Sequence, residues 1–268
     1  DAHVADRLET LLFAGLRGAL NALARGEAPA QTPNLLRARP LPEDAQTDRA
    51  LTRALYAVRR SLWLTSADDA LCLLLPLDST CVTRVAGAPV RLRVSGGYPF
   101  ADEVRITIEC RKPARFTLRV RIPAFALGAT LTLADGSTAD APAGELYELT
   151  QTFRDGDTLT LRLPRTPRLE TGYRGALSVY WGNVLMAMPV CEDTAWPLAL
   201  GRNPVWESYG EPAAPRLRTL ATPAPQWGER NGRVLPPPQG VTGGADMPVE
   251  LCPYADTAAR ISGFPQAG

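Results

Sequence analysis

Phe116-Thr117-Leu118-Arg119-Val120-Arg121-Ile122-Pro123 is the stretch that fixes the reading of this chain. Phe116, Leu118, Val120 and Ile122 alternate with Thr117, Arg119 and Arg121, which is the two-residue period of a strand with one buried and one solvated face. The same period extends outward. Val90, Leu92 and Val94 alternate with Arg91 and Arg93; Val104, Ile106 and Ile108 alternate with Glu103, Arg105, Thr107 and Glu109; Leu159, Leu161 and Leu163 alternate with Thr158, Thr160 and Arg162. Antiparallel sheets stacked face to face produce this pattern, each inward side chain adding roughly 1.5–3 kcal/mol of transfer free energy. Gly96-Gly97, Ala134-Asp135-Gly136 and Asp155-Gly156-Asp157 stand between the strands, where tight turns need positive φ angles.

Upstream of Leu71 the period is that of a helix. Leu8, Leu11, Leu12, Leu16, Ala19, Leu20 and Leu23 form one apolar face over Val4–Ala24, and Gly26 follows as a C-cap. A second helix is expected from Asp44 to Leu64, with Ala50, Leu51, Ala54, Leu55, Val58 and Leu62 on one side. Two helices cannot close a helical domain, so their apolar faces need a partner. Downstream, Pro164 and Pro167 mark a domain boundary. Ala176–Met188 then reads as a buried strand, followed by proline- and glycine-rich connections and closing strands at Val249–Leu251 and Arg260–Phe264. The expected fold is mainly β: two antiparallel β-sandwich, jelly-roll-like domains at 67–165 and 166–268, preceded by a helical segment at 1–66.

A net charge of +1 with interleaved signs creates no field that favours polyanions or anionic lipid, so neither nucleic acid nor membrane is an expected partner. No apolar run is long enough for a membrane helix, and nothing at the N-terminus reads as a signal peptide. The compartment stays open, with the cytoplasm as default. Five scattered cysteines, Cys72, Cys81, Cys110, Cys191 and Cys252, form no CxxC pair and read as small buried hydrophobes.

Several segments in order resemble the C-terminal part of glycoside hydrolase family 127. They are Gly97-Tyr98-Pro99-Phe100, Val104–Ile108, Phe116–Pro123, Ala134-Asp135-Gly136, Phe153–Asp157 continuing to Leu161–Pro164, Cys252–Thr257 and Arg260–Pro265. Phe125 stands where that family has a tryptophan. The resemblance implies β-L-arabinofuranosidase ancestry, β-sandwiches behind an (α/α)₆ barrel, and the last barrel helices at residues 1–66. It also implies a zinc-bound cysteine nucleophile in the parent enzymes, because zinc lowers a thiol pKa enough for the thiolate to attack an anomeric carbon. The paired cysteines would fall around Asp44-Ala45-Gln46-Thr47, where no thiol is present. The expectation is therefore a chain with no catalytic, cofactor or metal residue of its own and no zinc.

Other chemistry finds little support. His3, the only histidine, sits near the chain start on the polar side of the expected helix and reads as exposed and inert; with no other histidine, neither Ser-His-Asp catalysis of the usual kind nor a histidine metal site is expected. Asp68-Asp69, Asp102-Glu103, Asp155/Asp157 and Glu192-Asp193 lie at strand ends and turns, where turn chemistry explains them. Trp181, Trp196, Trp206, Trp227 and Tyr209 fall in the second β unit. Core filling accounts for most of them, while Trp206, Trp227 and Tyr209 are the candidate sugar-binding residues. Three roles remain open: structural or docking domains of a family 127 relative, a module that binds L-arabinofuranose-containing glycans, and a scaffold that pairs with a helical barrel chain or self-associates.

Overall fold

The computed structural model describes residues 2–29, 32–41, 47–85, 87–172, 175–190, 198–210, 215–224, 228–230, 233–235 and 244–267. Backbone packing divides the chain into two units. One comprises Asp1–Glu9 with Thr52–Thr166, the other Thr10–Leu51 with Pro167–Gly268.

The apolar stripe at the N-terminus forms α1 (Ala2–Thr10), a π-helical turn (Leu11–Leu16) and α2 (Arg17–Ala24), ended by Gly26 at φ 71°. β1 (Asn34–Leu35) follows, then α3 (Thr47–Ser61), which ends three residues before the Leu64 that its apolar pattern suggests. The residues just after α3 pass into β2 (Trp63–Thr65).

In the first unit β2 and β3 (Leu71–Leu73) lead to the long hairpin β4 (Ser79–Val85) and β5 (Ala88–Ser95), then β6 (Glu103–Cys110) and β7 (Ala114–Arg121). The unit ends with β8 (Thr130–Thr132), β9 (Thr138–Asp140), β10 (Leu146–Phe153) and β11 (Thr158–Arg162). They make a six-stranded sheet in the order β4-β5-β6-β11-β8-β9 and a four-stranded sheet β10-β7-β3-β2, in which β3 runs parallel to β7. The alternating residues behave as their period requires. Val90, Leu92, Val94, Val104, Ile106, Ile108, Phe116, Leu118, Val120, Leu159 and Leu161 are all buried, while their neighbours face outward. Arg121 is the exception. It lies on the polar side of β7 and yet is wholly buried.

The turns match their chemistry. Gly136 and Gly156 have φ angles of 85° and 83°. Asp135 accepts the amide of Ser137; Asp155 accepts the amide of Cys110, and Asp157 that of Arg154. Gly96 is needed for a stronger reason. Its φ is 143°, and a Cβ there would stand 2.2 Å from the carbonyl oxygen of Glu103.

The second unit is one broad sheet of antiparallel strands. β12 (Pro167–Thr171), β13 (Leu177–Trp181) and β14 (Val184–Pro189) form a meander, with Gly182-Asn183 turning the apolar 176–188 run into a hairpin. β15 (Leu198–Leu200), β16 (Glu207–Tyr209), β17 (Arg216–Pro223) and β20 (Met247–Pro253) continue it on one side; β21 (Arg260–Ile261), β1, β19 (Arg233–Leu235) and β18 (Gly228–Arg230) do so on the other.

Candidate functional site

Each unit holds one buried polar cluster. In the first, β7 carries Arg121 toward α1, where Glu9 and Asp6 lie one turn apart on the same helix face. Arg121 Nη1 donates to Glu9 Oε1 at 3.0 Å and to the Leu74 carbonyl at 2.7 Å; Nη2 donates to Glu9 Oε2 at 2.8 Å and to Asp6 Oδ1 at 2.9 Å. The Tyr98 hydroxyl donates to Glu9 Oε2 at 2.9 Å. Arg121 and Glu9 are both fully buried. Burial and the neighbouring Glu9 carboxylate push the Tyr98 hydroxyl far above the ordinary tyrosine range, so it stays a donor. The cluster is closed: it fastens α1 to the sheet and offers no path for a substrate.

In the second unit Asn34 of β1 receives the backbone amides of Ser262 and Gly263 and donates to the Gly263 carbonyl. Arg260 stacks on the Tyr254 ring at 3.9 Å and donates to its hydroxyl and to the Thr257 carbonyl. The Arg260–Phe264 segment is thereby fixed to the sheet by side chains that sequence reading did not single out.

Of the sugar-binding candidates, Tyr209 lies on β16 beside Arg218 of β17, which pairs in turn with Glu250 of β20. Register places Glu207 opposite Arg218 and Arg218 opposite Glu250. The Arg218 guanidinium lies 5.0 Å from the centre of the Tyr209 ring and 2.6 Å from Glu250 Oε1. Hydrogen bonding to Arg218 holds the Glu250 carboxyl below its usual range, while burial and Glu250 raise the Tyr209 hydroxyl. Tyr209 is 38% exposed and Trp206 half-buried. Trp227 and Trp196 lie outside the described residues, and Trp181 is half-buried on β13. The structure thus sets Trp206 and Tyr209 at the two ends of one short edge segment, with a charged pair beside the tyrosine ring.

The thiols are dispersed. Cys72 is on β3, Cys81 on β4, Cys110 on β6 and Cys252 on β20, all free; Cys191 lies outside the described residues. Burial pushes the Cys252 thiol up to about 11 and raises those of Cys81 and Cys110, the opposite of an activated thiolate. Among the described residues no three His, Cys, Asp or Glu side chains converge on a point that could hold a metal ion. These side chains do not fit a zinc-thiolate centre. Of Asp44-Ala45-Gln46-Thr47, around which the resemblance sets the paired cysteines, the first three lie outside the described residues and Thr47 begins α3; none is a thiol. His3 is exposed on α1.

Two open grooves are formed by described residues. One of about 310 Å³ is lined by Val82, Val90, Arg91, Glu109 and Asp155, the other of about 480 Å³ by Pro189, Arg216, Cys252, Asp256 and Thr257.

Comparison with known proteins gives these parts a family context. Residues 72–165 match the family profile described as β-L-arabinofuranosidase, GH127 middle domain. No curated protein matches the chain. Among solved structures, a GH127 β-L-arabinofuranosidase from Geobacillus stearothermophilus T6 superposes with a TM-score of 0.77 at 18% identity, covering 99% of this chain and 46% of that one. A structure described as a glycoside hydrolase gives 0.75 at 18% identity, covering 100% and 49%. A GH127 β-arabinofuranosidase gives 0.75 at 16% identity, covering 100% and 47%. The chain therefore has their fold while spanning less than half of their length.

Proposed function

Because residues 72–165 are those of a glycoside hydrolase family 127 middle domain, we propose that this chain supplies non-catalytic β-domains that dock on a helical barrel, the barrel carrying the glycosidase chemistry. The observation that carries this reading is α3. Its apolar residues fall on one side, yet Leu51, Ala54 and Val58 are only half-buried and Leu55 is 44% exposed. Arg49, Arg53 and Arg60 occupy the opposite side, so the helix is amphipathic and its apolar stripe faces water. An isolated helix of this length is marginal in water. A helical partner would cover the stripe, and helix packing by interdigitated side chains is what such a stripe is built for.

The parent reaction under this reading is hydrolysis of terminal β-L-arabinofuranosides, and the chain alone lacks the attacking sulfur for it. The test is twofold. The purified chain is assayed on p-nitrophenyl L-arabinofuranoside with zinc, with and without a chelator; no turnover is expected, and zinc-dependent turnover refutes the non-catalytic assignment. The chain is also mixed with the separately produced helical domain of a family 127 enzyme. Co-sedimentation that Leu55→Glu abolishes is expected, and independent sedimentation of the two refutes docking.

A second reading is favoured by the exposed Tyr209 ring beside Arg218 and Glu250. There Tyr209 and Trp206 at the β16 edge bind L-arabinofuranose-containing glycans by ring stacking. Titration of tryptophan fluorescence with arabinan decides it, and an unchanged signal removes it.

A further inference from the structure

Unit 1 leaves one long strand edge without the usual protection. β4 ends the six-stranded sheet and is laddered only to β5, in continuous register from Ser79↔Val94 to Val85↔Ala88. Exposed edges are ordinarily blunted by brevity, proline, bulges or charge. The other edges of this unit are shorter or carry charge nearer their middle: β2 and β9 are three residues long, and β10 has Glu148 third in the strand, whereas the one charge of β4, Arg84, is second from its end. β4 has seven residues, Ser79-Thr80-Cys81-Val82-Thr83-Arg84-Val85, with no proline, no bulge and no inward charge. At its centre Val82 is 69% exposed. Cys81 and Thr83, which point to the interior side, are only half-covered.

We propose that β4 is a self-association edge, where a second copy of this chain pairs its own β4 antiparallel about a two-fold axis at Val82. The occupant follows from complementarity. Only registers that keep inward side chains opposite inward ones leave both cores on the same face, because a one-residue slip would exchange the faces. Of these, the register centred on Val82 overlaps all seven residues. It sets Ser79 opposite Val85, Thr80 opposite Arg84 and Cys81 opposite Thr83 of the second copy, so no two like charges meet. The apolar Val82 meets itself. On the outer face the row Val82, Arg91, Glu109 runs across β4, β5 and β6, with Arg91 neutralised by Glu109 at 3.3 Å. Pairing joins two such rows at their apolar ends and leaves each ion pair outside. Main-chain hydrogen bonds then supply the attraction, as in other cases of strand addition. This inference does not rest on the docking role of α3, since Val82 is not part of that helix and the two surfaces can fail separately.

Sedimentation velocity of the full chain over a concentration series tests it. The expected result is a concentration-dependent rise from the chain mass to twice that mass. Val82→Lys and Val82→Glu, substitutions at an exposed position, should each give only the chain mass with unchanged circular dichroism. Directly opposite residues lie about 4.5–5.5 Å apart between Cβ atoms, so two lysines or two glutamates repel there while one of each attracts. Mixing the two variants should therefore restore the doubled mass. A wild-type chain that stays monomeric throughout, a dimer that Val82→Lys leaves intact, or a mixture that remains monomeric overturns the proposal.

Discussion

Replacing Arg121 by leucine tests the buried cluster of unit 1 most directly. The native guanidinium meets Glu9, Asp6 and the Leu74 carbonyl while wholly buried. Its removal leaves the Glu9 carboxylate buried and stripped of both guanidinium hydrogen bonds, with the Tyr98 hydroxyl still donating to it. Breaking a buried ion pair from one side costs about 3–5 kcal/mol, because the surviving charge has lost its compensation. A domain has roughly 5–15 kcal/mol in total, so this single change consumes a large share. Replacing both partners is different. Glu9→Leu with Arg121→Met removes both charges and fills similar volume, and such exchanges are often neutral or stabilising. The assay is a double-mutant cycle by urea unfolding at neutral pH, with hydrogen exchange of the α1 amides as a local readout. Expected are a loss of about 3–5 kcal/mol in Arg121→Leu, rapid exchange in α1, and a double variant well above the sum of the single losses. Losses below about 1 kcal/mol, or a strictly additive cycle, refute the idea that the pair fastens this helix.

Gly96→Ala should cost about 2 kcal/mol or more, because the left-handed φ and the Glu103 carbonyl both oppose a Cβ; an unchanged thermal midpoint would contradict this. Asp155→Ala should cost about 1 kcal/mol by freeing the Cys110 amide, checked by denaturant titration. Stability should fall on the alkaline side. The Cys252 thiol is raised from 9.0 to about 11, so the unfolded chain loses that proton first, and the contribution present below about pH 9 disappears by about pH 11. The loss is about 2–3 kcal/mol at most. Tyr98 and Tyr254, both raised mainly by burial, act in the same direction. Thermal midpoints between pH 8 and 11 follow this, and Cys252→Ala should make the decline shallower. Native alkylation with peptide mapping should find Cys81 ahead of Cys72, Cys110 and Cys252, since it alone among these is half-exposed.

The strands were legible wherever one face is dry and the other wet, because period 2 then writes itself into the sequence; β5, β6, β7 and β11 are such cases. The 176–188 run reads as one strand because its apolar and aromatic residues continue across the turn, leaving only Gly182-Asn183 as a signal of the hairpin. The π-helical turn left no trace, since leucines at three- and four-residue spacing suit it as well as an α-helix. Arg121 defeated the pattern for a physical reason. Alternation assigns a side of the sheet, and whether that side is covered depends on a helix more than a hundred residues earlier in the chain. The one available hint was Asp6 with Glu9, two acids three apart on one face of α1. Among the sugar-binding candidates, aromatic content was visible in sequence. The Arg218–Glu250 pair beside Tyr209 required strand register, which no single sequence discloses.

The Glu9–Arg121 pairing spans 112 positions of the chain. At elongation rates of roughly 5–20 residues per second, Glu9 leaves the ribosome some 6 to 22 s before its arginine does. Throughout that interval α1 presents the Asp6 and Glu9 carboxylates without Arg121 to whatever surrounds the nascent polypeptide. Newborn copies are thus open to chaperones at α1 until the seventh strand emerges.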